Sequence, residues 1–318
     1  MPFSGTGTAA SYTPDPGSLE TCLTRIVEAG FTHAELPCSA WGIWLNRRVN
    51  VRQLSRFAAM TAKFRDRLKF TVHGPIAFHL MSQNDWEGRA QLLRAGLEAT
   101  RELGGEIMIY ESGWVQEWPA GGTTTMLAFM ERERELLREI GEECLPWQGK
   151  IAIETMAGAE YMRCYTDWPN QLAEQIRSID HPTIGVCIDT GHSNIGASRL
   201  GFDFLDGARV LAPHVFTFHL QDNFGTWASP HLGLNHKSPE SWALGLGDLH
   251  LPPGWGTIPF ASMLTEIEFP ENPVMMMEIN WDLYAHLMPE LQAQLAGWRQ
   301  QSAMNFPPAS SSCSNQEH

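Results

Sequence analysis

Short apolar runs alternate along this chain with longer segments in which apolar residues recur every three or four positions. The first pattern predicts buried strands and the second predicts amphipathic helices. Strands are expected over 2–7, 31–37, 69–73, 106–111, 150–154, 183–189, 214–220 and 273–279. Helices are expected over 18–29, 51–66, 86–103, 124–144, 170–179, 200–211, 259–266 and 283–300. Near-continuous apolar strands fit a parallel sheet covered on its outer face. Alternating strand–helix units in a chain of 318 residues predict an α/β fold, a single (β/α)8 barrel over 1–304. A doubly wound sheet would favour GxGxxG after its first strand, and SGTGTAAS lacks that spacing. The Ser/Pro-rich tail over 305–318 is expected to be disordered.

Four of the predicted strands end on a charged or imidazole side chain. These are Glu154 in KIAIE, Asp189 in IGVCID, His219 in VFTFH and Glu278 in VMMMEI. Burying such a group is costly unless something compensates its charge. A divalent metal shared by all four is the simplest compensator, because three carboxylates and one imidazole form a hard donor set. Barrel strands present their C-terminal ends to the active site, and the four fall there together. Strand alternation turns Ala152, Cys187, Thr217 and Met276 toward the same axis. Cys187 is therefore a candidate soft ligand, with packing the favoured reading.

Composition narrows the field of partners. The net charge is −14 and the isoelectric point is near 5.3. That balance disfavours a broad grip on nucleic acid, which needs clustered Lys and Arg. No long uninterrupted apolar run predicts a membrane span. The N-terminus lacks a basic stretch followed by an apolar core, so a cytoplasmic location is expected. Six scattered cysteines without a CxxC pair read as reduced thiols.

The segments IAIET, CIDTGHSN, FHLQDN, GDLHLPPGWGTIPF and MMEIN resemble the xylose isomerase-like barrel superfamily. More narrowly they resemble its sugar phosphate isomerase/epimerase branch, related in fold to the AP endonuclease family 2. The resemblance spans roughly residues 1–300 and is strongest after Lys150. It implies a divalent site at Glu154, Asp189, His219 and Glu278, with manganese, magnesium or cobalt in isomerases and zinc in nucleases. It also implies that His192 contacts a substrate oxygen or a further metal, against the plainer reading of a turn cap. Asp248 and His250 then border the substrate, and His73 and Glu111 complete the ring. The nucleases usually have a histidine where this chain has Glu111, which argues against a trinuclear zinc cluster. Ketose 3-epimerases carry an arginine shortly after the metal-binding histidine, and LQDNFGTW lacks it.

Other residues invite two readings. Asp222 either binds substrate hydroxyls or braces His219. Trp41, Trp44, Trp114 and Trp118 either stack on a sugar at the mouth or pack a loop or subunit contact. Glu35 either reaches the pocket or pairs with Arg47 or Arg48. The charged helix around 130–143 is expected to present a solvated face without chemistry.

The function expected is a metal-dependent isomerase or epimerase of a sugar, keto-sugar or polyol. Glu154 and Glu278 would exchange a proton next to a polarised carbonyl, through an enediolate. A dehydratase or lyase would use the same proton abstraction. A zinc phosphodiesterase on abasic DNA and a barrel that only binds its ligand are further readings. The substrate, its phosphorylation and the oligomeric state, a homo-oligomer included, stay open.

Overall fold

The computed structural model describes residues 3–10, 15–76, 80–81, 85–116, 122–158, 162–227 and 238–307. Eight strands form a closed, all-parallel barrel: β1 (Gly5–Ala9), β2 (His33–Pro37), β3 (Lys69–His73), β4 (Gly105–Glu111), β5 (Lys150–Glu154), β6 (Ile184–Asp189), β7 (Val215–Leu220) and β8 (Val274–Met277). Each pairs with its neighbour in sequence, and β8 closes onto β1. Among the described residues the helices are α1 (Pro16–Glu28), α2 (Val51–Thr61), α3 (Trp86–Leu103), α4 (Gly122–Cys144), α5 (Pro169–Ile179), α6 (Thr190–Leu200), α7 (Phe204–Leu211), α8 (Pro239–Leu244), α9 (Phe260–Glu266), α10 (Trp281–Tyr284) and α11 (Met288–Asn305). None of these is long and apolar enough to cross a membrane.

Two apolar clusters hold the layers together. The larger lies between barrel and helices, where Leu23, Val72, Met108, Ile153, Phe218 and Leu295 are buried. The smaller fills the barrel with Ile107, Ile109, Ala152, Cys187 and Phe216. Cys187 thus packs, and it lies outside the grouped potential metal donors. Cys22, Cys38, Cys144, Cys164 and Cys187 are free thiols.

Strand β1 lies later in the chain than the sequence predicts, because its small residues carry no apolar signal. Those residues make room. A Cβ on Gly7 would lie 2.7 Å from Met276 Sδ and 2.8 Å from His33 Cβ. His33 therefore fills the barrel beside β1, buried and within 2.8 Å of Thr32 Oγ1. Burial pushes its imidazole down from 6.5 to about 4. The unfolded chain binds this proton and the folded chain rejects it, so stability falls as pH drops from 6.5 toward 4. The contribution is about 3 kcal/mol at most. Urea unfolding across that window is expected to show the decline, and His33→Gln to reduce it. An unchanged decline in the variant would assign it to other groups.

Three further expectations are corrected. The segment over 190–199, left between the sixth strand and the helix expected over 200–211, forms most of α6 directly after β6. The charged helix α4 is not solvated throughout. Its Glu133 is fully buried and accepts bonds from Tyr110 Oη (2.8 Å) and Tyr165 Oη (2.7 Å). Burial raises its carboxyl to about 7 despite those donors. Finally, α11 reaches Asn305, past position 300 where the last helix is expected to end. The tail from 308 onward lies outside the described residues.

Candidate active site

The barrel stagger brings the four strand-end groups to one point. Glu154 pairs in register with Glu111 and Cys187, whereas Asp189 pairs with His219. Glu278 follows β8, and its backbone N–H donates to Leu220 O (3.1 Å). One donor atom from each of Glu154, Asp189, His219 and Glu278 lies within 4.8 Å of all the others.

His219 organises the group. Its Nδ1 lies 3.0 Å from Glu278 Oε2 and 3.2 Å from Glu154 Oε1. Its Nε2 lies 3.0 Å from Glu35 Oε1. Thr71 Oγ1 donates to the other Glu35 oxygen (2.8 Å). A carboxylate only accepts, so Glu35 keeps a proton on Nε2 and points Nδ1 at the acidic group. The pocket-facing reading of Glu35 holds. Arg47 instead pairs with Asp85 (2.8 Å).

The electrostatics are strained toward a cation. Burial would push His219 down, but Cys187, Glu35, Glu278 and Glu154 raise it well above 6.5. Burial would raise Glu154, but His219 and then His192 hold it below the usual carboxylate range. Burial likewise opposes His219 at Glu278, which is held at about 2. Asp189 is the exception. Burial lifts it to about 7, opposed by His192 and reinforced by Asp248, Glu154 and Glu278. Glu154 Oε2 is buried without a hydrogen-bond partner among the described residues. An orphaned carboxylate oxygen among three further donors fits a divalent ion.

Around this group stand the other predicted residues. His73 Nε2 lies 3.7 Å from Glu111 Oε1 and 3.8 Å from Glu154 Oε2. Asp189 caps α6 and accepts from His192 N (2.7 Å). His192 is therefore in a helical first turn, with Nδ1 3.0 Å from Thr155 O and Nε2 3.5 Å from Asp248 Oδ2. His250 Nε2 lies 2.8 Å from Asp248 Oδ2, and its Nδ1 donates to Glu278 O (2.8 Å). Trp114 is exposed on the loop after Glu111.

Asp222 holds a loop in place. Its Oδ2 accepts from Gly254 N (2.9 Å) and Gly256 N (2.8 Å). Its Oδ1 accepts from Asn223 N (2.9 Å) and Ile258 N (3.3 Å). The carboxylate thus gathers backbone donors from Asn223 and from the loop over 254–258, and none of these bonds goes to His219. Two tryptophans are also packing groups. Trp41 is buried and stacks on Phe57 at 4.3 Å, and Trp44 Nε1 donates to Ala95 O (3.2 Å). Trp118 lies outside the described residues.

Sequence reasoning missed Gln221, buried next to the ring. Its place two residues after His219, at the end of an apolar strand, was the available signal.

A profile of the xylose isomerase-like TIM barrel family matches residues 23–302. The chain belongs to this family. An uncharacterized protein of Methanocaldococcus jannaschii is 24% identical over 213 residues, covering 66% of this chain and 68% of its own. Solved structures align along nearly the whole length. A D-tagatose 3-epimerase-like protein superposes with a TM-score of 0.68 at 18% identity, covering 94% of this chain and 98% of that one. The 3-keto-D-glucoside 4-epimerase of E. coli gives 0.63 at 15% identity, covering 93% and 98%. At such identities these barrels speak to the fold alone.

Proposed function

We propose that the protein is a divalent-metal-dependent isomerase or epimerase of a sugar, keto-sugar or related polyol. The observation that carries this reading is the meeting of Glu154 and Glu278 at one histidine nitrogen, His219 Nδ1. The two come from β5 and from the end of β8, separated around the barrel by β6 and β7. They therefore approach a central ligand from different sides. The sugar epimerases among the structural relatives support the same reading.

Glu154, Asp189, His219 and Glu278 would hold the ion, with Glu35 orienting His219 from behind. When bound, the ion polarises a substrate carbonyl and acidifies the adjacent C–H. Against the burial that would raise them, His219 favours the ionised form of both Glu154 and Glu278. One, ionised, removes a proton from one face, and the other, protonated beforehand from solvent, delivers one to the opposite face; in a shift to the next carbon a single carboxylate carries the proton across. His73, Glu111, His192, Asp248 and His250 supply hydrogen bonds to hydroxyls around the pocket, and Trp114 offers an aromatic face at its edge.

The test is hydrogen exchange in D2O, followed by NMR. The panel holds ketopentoses, ketohexoses, 3-keto-glucosides and inososes, each with manganese-loaded and chelator-treated protein. At least one member is expected to take up deuterium beside its carbonyl, and to stop doing so after chelation. The same spectra reveal any β-elimination product. A fully loaded protein that exchanges none of the panel would refute the reading.

A further inference from the structure

The DTGH turn and the DxH loop are joined by one buried amide. Gln221 Nε2 donates to Asp189 Oδ1 and Oδ2, each at 3.3 Å, and also to Asp248 Oδ1. Its Oε1 accepts the backbone N–H of His250 (3.2 Å). The backbone of Gln221 is itself fixed, since Thr190 Oγ1 donates to Gln221 O (2.7 Å). Gly191 leaves the space for this side chain, because a Cβ there would lie 2.4 Å from Gln221 Cδ. The opposite oxygen of Asp248 faces His250 Nε2 and His192 Nε2.

We propose that Gln221 is a positioning residue that fills the gap between Asp189 and Asp248 and so confines the ring to one divalent ion. The inference rests on the metal reading above. Two carboxylates facing one another repel unless a donor or a cation stands between them. Here the amide hydrogens occupy the place a second cation would take. The amide oxygen, bonded to His250 N–H, prevents the group from turning over. The same amide ties the loop carrying Asp248 and His250 to Asp189, so the far wall of the pocket is registered to the ion. A glutamate at this position would put three carboxylates around the gap, an oxygen-rich site that a second ion would neutralise.

The test compares metal-stripped wild type with Gln221→Glu, Gln221→Leu and Gly191→Ala. Manganese is titrated calorimetrically, bound ions are counted, and amide hydrogen exchange is read at His250. Wild type is expected to bind one ion and Gln221→Glu a second. Gln221→Leu should bind one ion about tenfold more weakly, with faster exchange at His250. Gly191→Ala removes no polar group yet displaces the amide, and should reproduce the Leu effects. Two ions in wild type, or one ion in Gln221→Glu, would overturn the confinement role. Unchanged His250 exchange in both Gln221→Leu and Gly191→Ala would overturn the positioning role. A wild type that binds no ion would instead defeat the metal reading, and the His250 exchange would still decide whether Gln221 holds the loop.

Discussion

Glu278→Gln is expected to slow carbon-bound hydrogen exchange by about 100- to 10,000-fold at saturating manganese. The substitution keeps the shape of the side chain but removes its basicity. Glu278 is well suited to proton transfer, because its Oε2 sits 3.0 Å from His219 Nδ1 and burial leaves it only slightly exposed. Glu154→Gln should be comparably damaging, since Glu154 Oε2 has no hydrogen-bond partner among the described residues that would hold it away from a substrate. The two variants are expected to differ in sense. With one epimer as starting material, one variant should block deuterium uptake. With the opposite epimer, the other should. Saturating metal matters because both residues would also be ligands, and a lost ion would imitate a lost base. Exchange within about threefold of wild type in Glu278→Gln with both epimers would remove it from the proton path.

The barrel and the ring were legible for the same reason. A strand buried on both faces reads as an apolar run, so a charged residue at its end stands out. Glu154, Asp189 and His219 all follow that rule. Helix α6 was not legible, because TGHSNIGASRL contains glycines, small polar residues and no apolar stripe. What makes it a helix is its setting: Asp189 caps it and β7 supports its first turn where Thr190 Oγ1 donates to His219 O. Strand β1 was displaced for a related reason. Its GTGTA sequence is chosen for the room that His33 and Met276 need, not for hydrophobicity. Partners separated by long stretches of chain were equally hidden. The Glu35–His219 bond joins residues 184 positions apart, and pattern alone left Glu35 between a pocket role and an arginine pair. The loop contacts of Asp222 were hidden in the same way. An aspartate three residues after the ring histidine invites a chemical role, and its carboxylate also ties down a loop.

That loop gives the second large effect. Asp222→Ala is expected to destabilise the protein by roughly 3–5 kcal/mol in urea unfolding, because it strips acceptors from several backbone N–H groups at once. The total falls below a simple sum, since an opened loop lets water replace some of the bonds. Four N–H groups, from Asn223, Gly254, Gly256 and Ile258, converge on this one carboxylate. Gly256 cannot adjust by much, because even a Cβ there would lie 2.2 Å from Asn223 O. The backbone bridge between Asp222 and Leu251 adds a second tie, at 2.8 and 3.1 Å. Manganese affinity should stay near wild type, since the Asp222 carboxylate bonds only to backbone N–H groups of Asn223 and of this loop among the described residues. Amide exchange at Gly254 and Gly256 should rise sharply. A residue that bound substrate directly would behave in the opposite way, with KM raised and unfolding unchanged. The unfolding curve and the glycine exchange rates therefore separate the two roles without any knowledge of the substrate.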